Sequence, residues 1–148
     1  MDAETVIEDV LNEYMEPALI LIQGLPGSGK STFGKRLAKE IGAYMFEADD
    51  YFMKNGKYVF DQSKLHEAHK KCLQNTKRHI EAGDNVIVSN TFTTRRELLP
   101  YLNLRADKFL IKMETNYGSI HNVPDFAIER MKERLDNCEV EPDYIIDC

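Results

Sequence analysis

The 148-residue sequence predicts an α/β domain with a parallel sheet of four to five strands and helices on both of its faces. Apolar runs of strand length alternate along the chain with segments in which apolar residues recur at helical spacing. This alternation favours a parallel sheet, because each crossover helix returns the chain to the same end of the sheet. The runs 18–23 and 85–89 are continuously apolar or nearly so, which is typical of strands buried on both faces.

The first 17 residues predict an acidic amphipathic helix that Pro17 ends. Apolar residues recur there at helical spacing, and the six carboxylates of the segment are accompanied by no basic residue. Because the segment precedes the first strand, we expect this helix to pack outside the sheet or on a protein partner, including a second copy of the chain. Residues 18–148 hold the remaining elements, and we predict a single domain overall.

Capping residues, glycine stops and apolar spacing predict the elements that follow. Gly42 and Gly83 each come directly after a helical pattern and predict its end, while Asn55-Gly56 is a strong hairpin signal. In chain order, the predicted elements are strand 18–23, glycine-rich turn 24–31, helix 30–41, strand 43–48, hairpin 54–60, a helix from Asp61 or Ser63 to about Ala82, strand 85–89, a short helix from Thr93 or Thr94 to near Pro100, strand 107–113, loop 117–124, helix 125–137 and a short strand 144–146.

The composition argues against a disordered, membrane-spanning or disulfide-stabilised protein. Hydrophobic residues make up 43% of the chain and charged residues 30%, which allows a packed core with a solvated surface. The longest apolar run, 18–22, is much shorter than a membrane-spanning helix, and the three cysteines show no metal-binding spacing. We therefore expect a cytoplasmic protein that does not contact a membrane.

Charge is unevenly distributed along the chain, which the net charge of −6 conceals. Segments 1–17 and 136–148 carry 11 of the 25 acidic residues and no basic residue, so the segment between them holds all 19 Lys and Arg residues and is basic. A basic body of this kind can bind polyphosphate or a nucleic-acid strand. The alternative is that the acidic ends only keep an ordinary surface soluble.

One loop carries the strongest functional signal. Residues 24–31 read G-L-P-G-S-G-K-S and match the pattern G-x-x-x-x-G-K-[ST] between a predicted strand and a predicted helix. Glycines let main-chain N–H groups converge on one anion, which the helix N-terminus also attracts. Lys30 is expected to reach the phosphates of ATP and Ser31 to ligate Mg²⁺, so the loop predicts a P-loop nucleoside triphosphate hydrolase or kinase fold. The predicted ATP-binding residues here are Gly24, Pro26, Gly27, Ser28, Gly29, Lys30, Ser31 and Thr32.

Acidic and amide residues follow two other predicted strands, at the sheet edge where the loop is expected to lie. Asp49 is the candidate general base, catalytic together with Lys30, and a candidate Mg²⁺ ligand beside Ser31. Asp50 and Asn90 are predicted to contact the acceptor, and an Asn side chain can also hydrogen-bond a metal-bound water. The alternative for both aspartates is that they cap a helix or are solvated.

Four arginines are candidates for phosphate contacts. Arg95 and Arg96 follow the third strand and are predicted to bind the acceptor, or else to lie in a solvated helical turn. Arg130 and Arg134 lie one turn apart on the last helix and are predicted to bind ATP, or else to pair with neighbouring glutamates. Aromatic residues around the hairpin either stack on bases or pack in the core. These aromatic residues are Tyr51, Phe52, Tyr58 and Phe60.

Four pieces of the sequence are informative together, and they span about 110 residues. They are L-I-Q-G-L-P-G-S-G-K-S-T (21–32), A-D-D-Y (48–51), V-I-V-S-N-T (86–91) and H-N-V-P-D-F-A-I-E-R-M (121–131). On these pieces the sequence resembles the polynucleotide-kinase-like family of small P-loop kinases. The resemblance implies transfer of the γ-phosphate of ATP, with Mg²⁺, to a hydroxyl on a nucleic acid, with Asp49 as general base. Some small phage-encoded members phosphorylate hydroxymethylated bases in DNA instead of 5′ ends.

Three positions depart from the family's pattern. An acidic residue of the family is Asn90 here, an arginine beyond D-D-Y corresponds to Phe52 or Met53, and the lid-like segment 117–122 contains no arginine. Loss of a cation near the transferred phosphate can cost several powers of ten in rate. Beside a nucleic-acid kinase, the sequence therefore leaves open an ATP-binding adaptor or switch with little turnover, and a nucleoside or small-metabolite kinase.

Overall fold

A computed structural model describes residues 1–116 and 123–148 of the protein. The predicted loop 117–124, the lid-like segment 117–122 included, lies largely outside the described residues. The helices and strands are α1 (Ala3–Glu13), β1 (Ala18–Gly24), α2 (Lys30–Ile41), β2 (Ala43–Phe46), a 3₁₀ helix (Ala48–Phe52), β3 (Met53–Lys54), β4 (Lys57–Tyr58), a second 3₁₀ turn (Gln62–Lys64), α3 (Leu65–Glu81), β5 (Asn85–Ser89), α4 (Arg95–Leu102), β6 (Asp107–Met113), α5 (Asp125–Asp136) and β7 (Tyr144–Ile146).

Five strands form a parallel sheet in the order β2-β5-β1-β6-β7, which confirms the predicted fold class. All residues of β1 and β5 are buried, as expected for central strands covered on both faces. The chain leaves β1 toward β2 on one side, whereas it leaves β5 and crosses β1 to reach β6 on the other side. Ligands bind at the carboxyl ends of strands where the chain reverses direction in this way, so the topology places the site at the end of β1.

Two hydrophobic cores lie on opposite faces of the sheet. Helices α1 and α2 cover one face, and α3 and α4 cover the other face together with residues that follow α5. Val6, Ile7 and Val10 of α1 are buried against the sheet and against α2, and Glu4 of α1 forms an ion pair with Arg36 of α2. Of the two packing alternatives for the N-terminal helix, the structure therefore shows the one within the chain. A partner of this helix would have to bind its exposed acidic face.

The structure changes several of the predicted boundaries. Helix α1 ends at Glu13, where Tyr14 is its C-cap, so the prediction that Pro17 ends this helix is wrong. The second strand ends at Phe46 instead of Ala48, because residues 48–52 form a 3₁₀ helix that is capped by Glu47 and Asp50. Helix α4 continues through Pro100 to Leu102, since Leu98 and Tyr101 are both buried under the sheet. Sequence alone predicts a stop at that proline. The apolar contacts of the last helical turn compensate for the missing N–H group.

Candidate functional site

The glycine-rich loop turns tightly between β1 and α2. Gly27 and Gly29 have φ angles of 79° and 90°, in the left-handed region that side chains disfavour. The Ser28 N–H donates to the carbonyl of Leu25 at 3.1 Å, and α2 begins at the next residue but one. Pro26 and Thr32 lie in the same turn and in the first turn of the helix. The loop therefore sits at the helix N-terminus, where an anion is stabilised.

Gly24 is required because its neighbours leave no space for a Cβ atom, and not because of its backbone angles. A Cβ atom at this position would lie 2.7 Å from Ser28 Oγ and 2.9 Å from the carbonyl oxygen of Met113 on β6. Ser28 is itself buried, and its carbonyl accepts a hydrogen bond from Thr115 Oγ1 at 2.6 Å. The loop is thus enclosed by the ends of β1 and β6, and its shape is set by main-chain contacts.

Lys30 is a partly buried cation at the first position of α2. Its Nζ donates to the carbonyl oxygen of Leu25 at 2.8 Å, which folds the side chain back over the loop. Burial lowers the pKa of Lys30 to about 8, although the nearby carboxylates of Glu47 and Asp49 favour the charged form. An incoming phosphate would add negative charge beside Lys30 and restore its full protonation.

Glu47 is a functional candidate that the sequence reasoning missed. It directly follows β2, and its carboxylate accepts a hydrogen bond from the Ser31 hydroxyl in the first turn of α2. Burial raises the pKa of Glu47 above its ordinary value; the neighbouring Asp50 and Asp49 add to the effect, whereas Ser31 and Lys30 oppose it. The signal was present in the sequence, because Glu47 lies near the carboxyl end of the predicted second strand, at the edge where ligands bind.

Asp49 and Asp50 lie on the same 3₁₀ helix but differ in their surroundings. Asp49 is exposed, and its Oδ1 accepts a hydrogen bond from the Tyr58 hydroxyl at 3.3 Å. Asp50 Oδ2 accepts a hydrogen bond from the N–H of Glu47 at 2.9 Å, which makes Asp50 a capping residue. The capping alternative is thus correct for Asp50, and both aspartates line a cavity together with Tyr58.

The cavity beside the loop has a volume of about 500 Å³. It brings together Ser31 and both aspartates, as the sequence predicted, and adds Glu47 to them. Its described lining contains three carboxylates, two methionines, one tyrosine, one serine and one lysine. They are Ser31, Lys35, Met45, Glu47, Asp49, Asp50, Met53 and Tyr58. We refer to this space as the acceptor cavity.

Asn90 connects two parts of the site from within the core. Its Oδ1 accepts a hydrogen bond from the N–H of Ala48 at 2.8 Å, and its Nδ2 lies 3.8 Å from Cys72 Sγ. The side chain therefore holds the 3₁₀ helix that carries Asp49 against the end of β5. This is a structural contact that the sequence did not predict; a contact of Asn90 with the acceptor stays a prediction.

The four candidate arginines lie apart from the acceptor cavity. Arg95 and Arg96 are exposed in the first turn of α4, next to the Thr94 cap. Arg130 and Arg134 line a second cavity of about 310 Å³, with Thr93 and Thr94 on the opposite side. Among residues 1–116 and 123–148, none of these arginines forms an ion pair, so pairing with neighbouring glutamates is wrong. Their contacts with ATP or with the acceptor stay predictions.

The donor groups of the site fit a nucleoside triphosphate with Mg²⁺. The glycine-rich loop offers main-chain N–H groups and Lys30 to an anion. Ser31, Glu47 and Asp49 place a hydroxyl and two carboxylates in one cavity, and oxygen atoms of these kinds are the ligands that Mg²⁺ prefers. In the described part of the chain, no helix is long and apolar enough to cross a membrane.

A family model described as an AAA domain matches residues 19–115 of the chain. Human NEDD4-binding protein 2 is 35% identical over 106 residues, which cover 68% of this chain and 6% of that protein. Shikimate kinase of Mycobacterium ulcerans is 54% identical over 35 residues, which cover 24% of this chain and 18% of that enzyme. The chain thus spans less than a fifth of the length of these relatives.

Solved structures share the fold at lower identity. A chain of the Pnkp1/Rnl/Hen1 RNA repair complex superimposes with a TM-score of 0.67 at 22% identity, over 85% of this chain and 46% of that chain. A gluconokinase from Sinorhizobium meliloti 1021 superimposes with a TM-score of 0.60 at 17% identity, over 88% of this chain and 81% of that chain. These similarities establish a P-loop kinase fold.

Proposed function

The chain belongs to the AAA-domain family and has a P-loop kinase fold, and from this premise we propose that it transfers the γ-phosphate of ATP to a hydroxyl group of a nucleic acid. The predicted enzyme class, a P-loop phosphotransferase, is confirmed by the family match. The proposed acceptor is a 5′-hydroxyl end or a hydroxymethylated base in DNA. The observation that carries the proposal is the position of Asp49, exposed in a cavity that also contains Ser31 of the phosphate loop.

Residues of the phosphate loop and of the acceptor cavity share the tasks of this reaction. Asp49 accepts the proton of the acceptor hydroxyl while the hydroxyl oxygen forms its bond to phosphorus and the bond to ADP breaks. Lys30 and the main-chain N–H groups of the loop stabilise the negative charge on the phosphate oxygens. When bound, Mg²⁺ neutralises part of that charge, and Ser31, Glu47 and Asp49 are the residues that would hold it.

Three observations support a nucleic-acid acceptor over other acceptors. The segment between the acidic ends is basic and carries all 19 Lys and Arg residues. Exposed aromatic and apolar side chains, Tyr58 and Met53, line the cavity. The structural similarity to a protein of an RNA repair complex points to the same acceptor class.

The test is transfer of labelled γ-phosphate to 5′-hydroxyl oligonucleotides and to hydroxymethylated duplex DNA. At saturating Mg²⁺, which offsets the loss of one proposed metal ligand, we expect Asp49→Asn to lower the transfer rate about 10²- to 10⁴-fold with unchanged ATP binding, because the proton acceptor is lost. Asp61→Asn is the matched control, since Asp61 is an exposed aspartate that caps the second 3₁₀ turn and does not line the cavity. Equal labelling by wild type and Asp49→Asn would contradict the role of Asp49.

A small-metabolite kinase is the second candidate, because a gluconokinase shares the fold over most of its length. Competition separates the two candidates: an excess of sugar acids should leave labelling of the oligonucleotide unchanged. If gluconate or shikimate is phosphorylated and oligonucleotides are not, the nucleic-acid proposal is wrong. ATP binding without transfer to any of these acceptors would favour the adaptor.

A further inference from the structure

A small aromatic hairpin stands beside the acceptor cavity. Strands β3 and β4 pair in antiparallel fashion around Asn55 and Gly56, whose φ angles of 52° and 77° form the tight turn. The N–H of Val59 donates to the carbonyl of Phe52 at 2.8 Å, so the hairpin is joined to the 3₁₀ helix that carries Asp49. The hairpin and the candidate base therefore form one continuous structural unit.

The aromatic rings of this unit differ in burial. Phe52 is 1% exposed and belongs to the core, so the core alternative is correct for this residue. Phe60 packs edge-on against Phe52 at 5.0 Å, and the ring of Tyr58 stacks on Phe60 at 6.4 Å with an interplanar angle of 15°. Tyr58 remains 47% exposed. The ring of Tyr58 thus packs on Phe60, which in turn packs on the core residue Phe52, although much of the Tyr58 surface faces solvent.

The position of Tyr58 relates this ring to the reacting groups. Its hydroxyl lies 3.3 Å from Asp49 Oδ1, and its side chain lines the acceptor cavity together with Met53. The described lining of the cavity also carries the carboxylates of Glu47, Asp49 and Asp50 and one cation, that of Lys35. Three carboxylates disfavour an acceptor with an anionic group next to its reactive hydroxyl. The cavity instead fits a neutral, flat group that an aromatic ring can stack on.

We propose that Tyr58 is a specificity-determining residue whose ring stacks on the base of the acceptor's 5′-terminal nucleoside. This inference rests on the proposed function and narrows it to 5′-hydroxyl ends. A base on the ring brings the attached sugar close to Asp49, because the hydroxyl end of Tyr58 already contacts that carboxylate. Stacking accepts any base, so it selects a nucleoside end without selecting a sequence.

Two 5′-hydroxyl oligonucleotides that differ only in their first residue test this role. One begins with a normal nucleotide and the other with an abasic tetrahydrofuran residue. For the wild type we expect kcat/KM to be about tenfold higher with the normal nucleotide, which is within the range that stacking of one base supplies. Binding of both oligonucleotides is measured in parallel by fluorescence anisotropy.

Two variants separate the ring of Tyr58 from its hydroxyl. Tyr58→Phe should keep the tenfold preference and lower kcat equally for both oligonucleotides, since only the hydrogen bond to Asp49 is lost. Tyr58→Leu should reduce the preference to less than twofold in both transfer and binding. Circular dichroism melting checks that both variants fold, which the half-exposed position favours.

Each outcome has a defined meaning for the two proposals. Equal wild-type transfer to both oligonucleotides, or an unchanged preference in Tyr58→Leu, would overturn the stacking role. If neither oligonucleotide is phosphorylated, the proposed function fails, and the binding measurement then decides the stacking role by itself. A tenfold binding preference that Tyr58→Leu abolishes supports stacking in that case, and equal binding overturns it.

Discussion

The phosphate loop and the acceptor cavity adjoin each other but are built in different ways. The loop is shaped by the main chain: Gly27 and Gly29 adopt left-handed angles, and Gly24 lies against Ser28 and β6. The acceptor cavity is lined by side chains that come from a short 3₁₀ helix, a hairpin and α2. The half of the site that is proposed to bind phosphate therefore follows a motif, whereas the half that is proposed to select the acceptor depends on this chain's own packing.

Each of the two regions contains one charged side chain whose ionised form is disfavoured by burial. Burial disfavours the charged forms of both Lys30 in the loop and Glu47 in the cavity, with the pKa of Lys30 lowered to about 8 and that of Glu47 raised. Each charge is opposite in sign to the group that it is proposed to bind, a phosphate or Mg²⁺. The site therefore gains binding free energy when ligands remove these costs.

The largest expected effect comes from removal of the loop cation. Lys30→Met should lower kcat/KM for phosphate transfer about 10³-fold, because the charge that stabilises the phosphate oxygens is lost. The melting temperature at pH 7 should not fall, since the variant also removes a disfavoured buried charge. Lys39→Met, near the other end of α2, is the matched control and should keep full activity. Similar losses in both variants would contradict a specific role of Lys30.

Glu47→Gln tests the cavity side of the comparison. We expect transfer to fall about 10²-fold at low Mg²⁺ and to recover in part at high Mg²⁺, because a neutral amide holds the cation less well. The pKa of Glu47 is raised in the folded state, so its ionised carboxylate lowers the free energy of unfolding at pH values above that pKa. Below the ordinary pKa of a glutamate the residue is protonated in both states, and this cost is absent. The variant should therefore melt at a higher temperature than wild type at pH 7, with the gain disappearing near pH 4. A lower melting temperature at pH 7 would contradict this electrostatic cost.

Gly24→Ala tests whether main-chain packing shapes the loop. The added Cβ would meet Ser28 Oγ and the Met113 carbonyl, so we expect the free energy of unfolding to drop by about 2 kcal/mol in urea titrations. Combining the change with Ser28→Ala removes one of the two clashes and should restore part of that loss. Full stability of Gly24→Ala would show that the loop adapts easily.

The smallest expected effect is proton uptake when the loop binds ATP with Mg²⁺. Near pH 8 part of the Lys30 population is neutral, and phosphate should raise the pKa of Lys30 and draw protons from solution. Calorimetry in buffers with different ionisation enthalpies measures this uptake. The Lys30 contribution should vanish at pH 6, where Lys30 is already charged, and in Lys30→Arg. Uptake that is unchanged in Lys30→Arg would assign the proton to another group.

The sequence predicted the sheet elements closely because their signals are local. Strands 85–89, 107–113 and 144–146 have the predicted bounds, and α2 ends at Gly42 as expected. The capping of the 3₁₀ helix by Asp50 agrees with one of the two sequence alternatives, whereas the hydrogen bond from Ala48 to Asn90 was not predicted. The Ala48–Asn90 contact joins residues on different elements, and no pattern in the chain specifies such a pairing.

By itself the sequence determined the α/β class, the phosphate loop and the candidate base, because periodicity and an anion-binding motif depend on neighbours along the chain. Only the tertiary structure decided that Glu47 contacts Ser31, that Asp50 caps the 3₁₀ helix, and that the Tyr58 hydroxyl contacts Asp49. Burial and distance set the charge and contacts of these groups. Both quantities arise only when separate strands and helices pack together.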